Sequence, residues 1–130
     1  MKHDNKHVEF IHLPHDHHKQ EADNALHELH ELLEKVEDFQ AVADVFKQLG
    51  DGTRLRIFWM LCHREECVIN IAALMSMTMP AVSHHLKLLK SANLIVSRRE
   101  GKEVYYKASN SELCQNLHII MEQVMKITCP

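Results

Sequence analysis

A chain of 130 residues, 45% hydrophobic and 25% charged, suits one globular domain with a modest core. No apolar run approaches the roughly 18 residues of a membrane span, and the opening MKHDNKHVEF is too polar for a secretory signal, so a cytoplasmic protein without a membrane partner is expected. The net charge of −3 hides an asymmetry: residues 1–50 hold eleven Asp and Glu against five Lys, whereas residues 78–107 hold six Lys and Arg against two Glu, so a polyanion would choose the later segment.

Residues 1–20 are polar and rich in His, with Pro14 interrupting and no sustained apolar period, which reads as a flexible arm ahead of a folded region spanning 21–130. From about Glu21, Ala22, Leu26, Leu29, Leu33 and Val36 repeat at helical spacing, while Glu28, Glu31, Glu34 and Glu37 turn elsewhere. His27 and His30 form an i, i+3 pair on this helix. A short helix through Val42, Val45, Phe46 and Leu49 should stop at Gly50-Asp51-Gly52, after which Thr53 can cap a third helix carrying Leu55, Ile57, Phe58, Met60 and Leu61.

The segment from Val68 to Leu94 is the most informative. A short apolar helix (Ile69, Ile71, Ala72, Leu74) meets a tight connection at Met75 to Thr78, where Ser76 occupies the usual place of a glycine. In the longer helix that follows, Thr78 can cap, Pro80 is tolerated in the first turn, and Val82, Leu86 and Leu89 supply a buried stripe. Ser83, His84, Lys87 and Lys90 are left largely outward, and His85 sits among them; polar residues here suit contact with bases or phosphate. This is the pattern of a helix-turn-helix whose second helix enters the major groove. Two β-prone runs, Leu94 to Arg99 and Glu103 to Lys107, then flank Glu100-Gly101-Lys102 as a hairpin, and Arg98, Arg99 and Lys102 place positive charge where a wing meets phosphates or the minor groove. A last helix, about Ser111 to Thr128, aligns Leu113, Leu117, Ile120, Val124 and Ile127. The expected fold is therefore mainly α with a small β-hairpin, a winged helix-turn-helix.

From about Val42 to Lys107 the chain resembles the ArsR/SmtB family of winged-helix metal-responsive repressors. Three blocks carry the likeness: Ala43 to Leu61, with Asp51, Thr53, Arg54 and Leu55; Glu65 to Met75; and Met79 to Ser109, with the Ser83-His84-His85-Leu86 core and the Arg99-Glu100-Gly101-Lys102 tip. The resemblance implies a homodimer with its first and last helices at the interface, presenting two recognition helices to a near-palindromic double-stranded operator. The apolar residues Leu26, Leu29, Leu33, Leu117, Ile120 and Val124 are consistent with that, although the same helices could close a monomeric core.

The resemblance also implies a metal site that joins a cysteine near the helix-turn-helix to the partner's N-terminal arm. Cys67 matches the first cysteine of that motif; Ile69 replaces the second thiolate of the soft-metal versions, and Asn70 stands where some zinc-type versions carry Asp. His15, His17 and His18, with His12 nearby, are the arm's candidate ligands. One Cys with many His favours a borderline transition-metal ion, zinc first with nickel, cobalt and copper as alternatives, over Cd²⁺, Pb²⁺ or trivalent arsenic, which want several thiolates. A loosely binding or merely solvated His-rich arm, and a buried inert Cys67, fit the same residues.

The family's other frequent site, on the last helix, falls here on Asn110, Glu112, Gln123 and Lys126, a poor zinc set. Cys114, His118 and Glu122, spaced i, i+4 and i+8, are an alternative donor row that can equally be ordinary helix residues. The four cysteines, Cys62, Cys67, Cys114 and Cys129, are too scattered for a disulfide scaffold. A thiol-based sensor of oxidants or sulfur species through Cys62 and Cys114 is one rival reading; a metal buffer or protein-binding adaptor without specific DNA binding is another. No Gly-rich phosphate loop, nucleophile motif or paired catalytic carboxylates appear, so no enzyme is expected.

Overall fold

The computed structural model describes residues 16–126, with side chains from Lys19 onward. The chain divides after Val42 into two compact units.

The first unit holds α1 (Asp16–Leu33) and the opening of α2 (Val36–Leu49). α1 starts ahead of the Glu21 expected from the apolar period. It ends at Leu33, so Val36 opens the next helix instead of closing the first. The break is local: Glu34 N–H still donates to His30 O, but Phe39 N–H already donates to Lys35 O, so a new ladder begins at once. Among α1's described side chains only Ala22 is buried, while Leu29, Leu32 and Leu33 stay exposed beside surface pairs of His27 with Glu31 (3.0 Å) and His30 with Glu34 (3.3 Å).

The second unit carries α3 (Gly52–His63), β1 (Glu66–Cys67), α4 (Val68–Met75), α5 (Met79–Ser91), β2 (Ile95–Glu100), β3 (Glu103–Ala108) and α6 (Glu112–Met125). α3 is capped by Asp51 and not by Thr53: the extended Asp51 backbone lets its Oδ1 accept the Arg54 N–H at 2.9 Å, and Thr53 is already inside the first turn. α4 closes on Ser76 in the left-handed region (φ 54°), its N–H returning to Ala72 O and Ala73 O, which is how the connection turns without a glycine. Thr78 caps α5 through Ala81 N–H (3.3 Å), with Pro80 in the first turn. Ser111 caps α6 through Cys114 N–H (3.2 Å).

The sheet is antiparallel in the order β1-β3-β2, with Gly101 (φ 63°) at the hairpin tip. β1 has only two residues and was not expected; it pairs Glu66 with Tyr106 and Cys67 with Tyr105. Ile57, Phe58 and Leu61 from α3, Ile71 from α4, Val82, Leu86 and Leu89 from α5, Leu94 and Ile95 entering the wing, and Cys114 and Leu117 from α6 make one core. That core fixes α5 against α3 and α4 and joins it to the wing through Leu94 and Ile95, which sets where the polar faces point. Among the described residues no helix is long and apolar enough to cross a membrane.

Candidate nucleic-acid interface

α5 buries Val82, Leu86 and Leu89 and exposes Thr78, Pro80, Ser83, His84, Lys87 and Lys90. Pro80, Ser83, His84 and Lys87 share one face, because steps of three and four residues return to the same side of a helix. Lys90 Nζ donates to Ser97 Oγ at 2.6 Å, so one of its protons ties the recognition helix to the wing. His85 does not follow its neighbours. It is half-buried, with Nδ1 shut off from solvent and unpartnered. Burial pushes its imidazole below the ordinary histidine range; Arg54 and His84 act the same way and Asp51 opposes them. His85 therefore packs toward the start of α3, where Arg54 donates to Gln48 O (3.1 Å) and Gln48 Oε1 (3.2 Å).

On the wing, Arg99 and Lys102 are exposed and form no ion pair among the described residues. Arg98 is engaged: its Nη2 and Nε donate to the two carboxylate oxygens of Glu65 at 2.7 and 3.0 Å, its Nη1 donates to Glu100 at 2.6 Å, and its guanidinium lies 4.9 Å from the Tyr105 ring centre. These carboxylates hold Arg98 above the usual arginine range, and Arg98 in turn pulls Glu65 below the usual carboxylate range. Composition alone shows a basic tip; that one of its arginines is neutralised by Glu65, 33 residues earlier in the chain, follows only from the β1–β3 pairing.

The metal candidates are placed unevenly. Cys67 is 7% exposed, at the junction of β1 and α4. Asn70 Nδ2 donates to Glu66 (2.8 Å), and Glu66 also accepts Arg64 Nε (2.6 Å), so Asn70 is committed to that carboxylate. His12 and His15 lie outside the described residues, and for His17 and His18 only the helical backbone is described. Cys114, His118 and Glu122 share α6 but are not drawn into a donor set: the Cys114 thiol turns inward and donates to Leu94 O (3.4 Å), and the His118 ring meets the His63 ring edge-on at 4.8 Å. Among the described residues no three His, Cys, Asp or Glu side chains are grouped to hold a metal ion. Cys62, His63, Cys114 and His118 do line a common cleft of about 390 Å³ in the second unit.

A capped, outward-facing polar helix after a short helix and tight turn, followed at once by a basic hairpin, defines a winged helix-turn-helix protein. The comparisons agree. Residues 51–97 match the model of the arsR family of bacterial regulatory proteins. An arsenical resistance operon repressor of Bacillus subtilis is 37% identical over 80 residues, covering 61% of this chain and 76% of that protein. A transcriptional repressor SmtB homolog of Synechocystis sp. is 37% identical over 78 residues, covering 60% of this chain and 59% of its own length. The solution structure of a homodimeric winged helix-turn-helix DNA-binding domain from Mycobacterium bovis superimposes with a TM-score of 0.65 at 34% identity, covering 71% of this chain and 84% of that one. The chain belongs to the arsR family. Its match spans only about six-tenths of the length of several of the curated relatives, the Synechocystis protein (59%) and a Staphylococcus aureus relative (62%) among them.

Proposed function

We propose that this protein is a cytoplasmic transcriptional repressor, not an enzyme, that grips a near-palindromic DNA duplex as a homodimer and lets go when a transition-metal ion binds. The observation that carries the DNA reading is α5: its apolar stripe is wholly used in the core, which leaves Pro80, Ser83, His84 and Lys87 in one exposed row flanked by the cations of the wing. Lys87, Arg99 and Lys102 serve phosphates, which position the protein, while Ser83 and His84 reach base edges, which specify the sequence.

Dimerisation is supported by an apolar groove of about 240 Å³ lined by Phe46, Leu49, Leu55, Leu117, Ile120, Met121, Val124 and Met125. A two-fold pair closing over such faces would present two copies of α5 to half-sites about one helical turn apart.

Metal responsiveness is supported by the relatives, which include a cadmium resistance transcriptional regulatory protein CadC homolog of Staphylococcus aureus, 40% identical over 75 residues. The described residues alone do not make the site. Cys67 supplies one donor, and His12, His15, His17 and His18 of the arm supply the rest. Zinc suits this donor set best, with nickel, cobalt and copper next. When bound, the ion would join Cys67 of one protomer to the arm of its partner; by linkage, the DNA-bound protein then holds the ion less tightly, by the same factor as operator affinity falls.

Operator binding by fluorescence anisotropy at fixed salt, on the promoter region of the protein's own gene, tests all of this. Tight binding by the metal-free protein that one ion weakens tenfold or more, about 1.4 kcal/mol, is the expected result. Deleting residues 1–20 should abolish that release. No effect of any ion defeats the metal part, and no sequence-specific binding defeats the repressor in favour of a metal buffer or adaptor.

The shared cleft favours one second reading, a thiol sensor in which Cys62 and Cys114 respond to oxidants or sulfur species. Mass spectrometry after oxidant or persulfide treatment, paired with the same anisotropy assay, decides it; unchanged DNA affinity ends it.

A further inference from the structure

We infer that Arg98 is a positioning residue that latches the wing to the strand carrying Cys67, and that it does not serve as a phosphate contact. The inference rests on the DNA-binding reading for its consequence, but its geometry stands apart from it. Tyr105 of β3 lies directly across from Cys67 on one side and from Arg98 on the other. The ladder therefore runs Cys67, Tyr105, Arg98 across the sheet, and Glu65, just before β1, closes the loop by gripping Arg98 in a fork-to-fork pair of 2.7 and 3.0 Å. Arg98 also spans its own tyrosine neighbour at 4.9 Å.

Charge argues the same way. Arg98 sits between Glu65 and Glu100, so the trio carries net negative charge and offers little to a phosphate. Arg99 projects from the opposite side of the strand, and Lys102 lies at the tip; neither is tied to a carboxylate among the described residues, so the wing's grip belongs to them. A two-residue strand is weakly held by backbone bonds alone, and the Glu65–Arg98 fork is what fastens it to β2. Displacement of β1 at Cys67 is then passed to the wing through this latch.

Arg98→Gln, Arg98→Lys and Glu65→Gln, with Arg98→Gln/Glu65→Gln together, test the latch in the full-length protein. Each single change should lower operator affinity several-fold while leaving the slope of log affinity against log salt as in the parent, and the double variant should be no worse than either single. Arg98→Lys should fail to rescue, because a lysine cannot fork onto one carboxylate while reaching the other. Without DNA, hydrogen exchange at the β1–β3 amides should quicken in every variant. The latch is overturned if Arg98→Gln lowers the salt slope by about 0.9, the signature of one lost phosphate contact, if Glu65→Gln tightens binding by freeing the arginine, or if exchange is unchanged. A parent protein that binds no operator defeats the repressor reading, and the exchange arm still decides the latch.

Discussion

α5 and α6 are built alike and end up facing different worlds. Both are about four turns long, both start from a hydroxyl cap, Thr78 and Ser111, and both send apolar residues into the same core. α5 buries Val82, Leu86 and Leu89 there, with Leu88 half-buried and, of its large aliphatic side chains, only Met79, in its first turn, left exposed. α6 buries Cys114 and Leu117 and leaves Leu113, Ile119, Ile120, Val124 and Met125 exposed, Val124 at 76%. A helix whose leftover face is polar and basic can meet water or a polyanion, whereas one whose leftover face is a run of aliphatic side chains calls for protein. The same core thus separates the polar, basic face proposed for DNA from the aliphatic face proposed for dimerisation.

The largest effect that would break this contrast is in the core. Leu86→Ala on α5, where the side chain is 1% exposed, should cost about 2–5 kcal/mol in denaturant unfolding, while Val124→Ala on α6 should leave the isolated protomer's stability within about 0.5 kcal/mol. Equal losses would mean that α6 is packed within the protomer after all.

Next in size is assembly. Ile120→Lys with Val124→Lys should raise the dimer dissociation constant by about 100-fold or more, near 2.7 kcal/mol, in sedimentation equilibrium, with the helical circular dichroism kept. A parent chain already monomeric at micromolar concentration sinks this expectation.

A smaller change sharpens the other face. Lys87→Gln should weaken binding to all DNA sequences alike and reduce the salt slope by about 0.9. A loss confined to one base position would recast Lys87 as a base reader.

The smallest concerns the one imidazole of α5 that turns inward. Because the native pKa of His85 lies below the ordinary value near 6.5, the unfolded chain takes up its proton more readily. Its contribution is complete above that pH and is lost as the pH falls through it. Thermal midpoints should therefore drop on acidification from pH 7.5 to 5.5, and His85→Gln should flatten that drop; an unchanged slope would place the titrating group elsewhere.

The winged helix was legible because each of its parts has a local cause: the Thr78 cap, the Pro80 start, the Val82-Leu86-Leu89 period and the Gly101 turn all act within a few residues. What sequence spacing hid was non-local. β1 is two residues long and exists only because β3 offers it a ladder, so neither the pairing of Cys67 with Tyr105 nor the capture of Arg98 by Glu65 has a signal in hydrophobic period. His85 looked outward by composition, yet it is half-buried, with its Nδ1 shut off from solvent and unpartnered. The i, i+4 spacing of Cys114 and His118 was real, but spacing fixes a helix face and not which way a small thiol turns, and Leu94 O claims it. The choice of Asp51 over Thr53 as cap shows the same limit at one residue's scale, since both are good caps and only the backbone decides where the helix begins.

The strand order β1-β3-β2 leaves β2 as an outer strand whose free edge runs through Ser97, Arg98, Arg99 and Glu100. Charged residues along such an edge discourage another chain from adding a strand to it. With aliphatic side chains also exposed on α6, a sheet edge that resists templated growth lowers the chance of uncontrolled association. The charges of the wing thus disfavour edge-to-edge pairing of the sheet, whether or not nucleic acid is near.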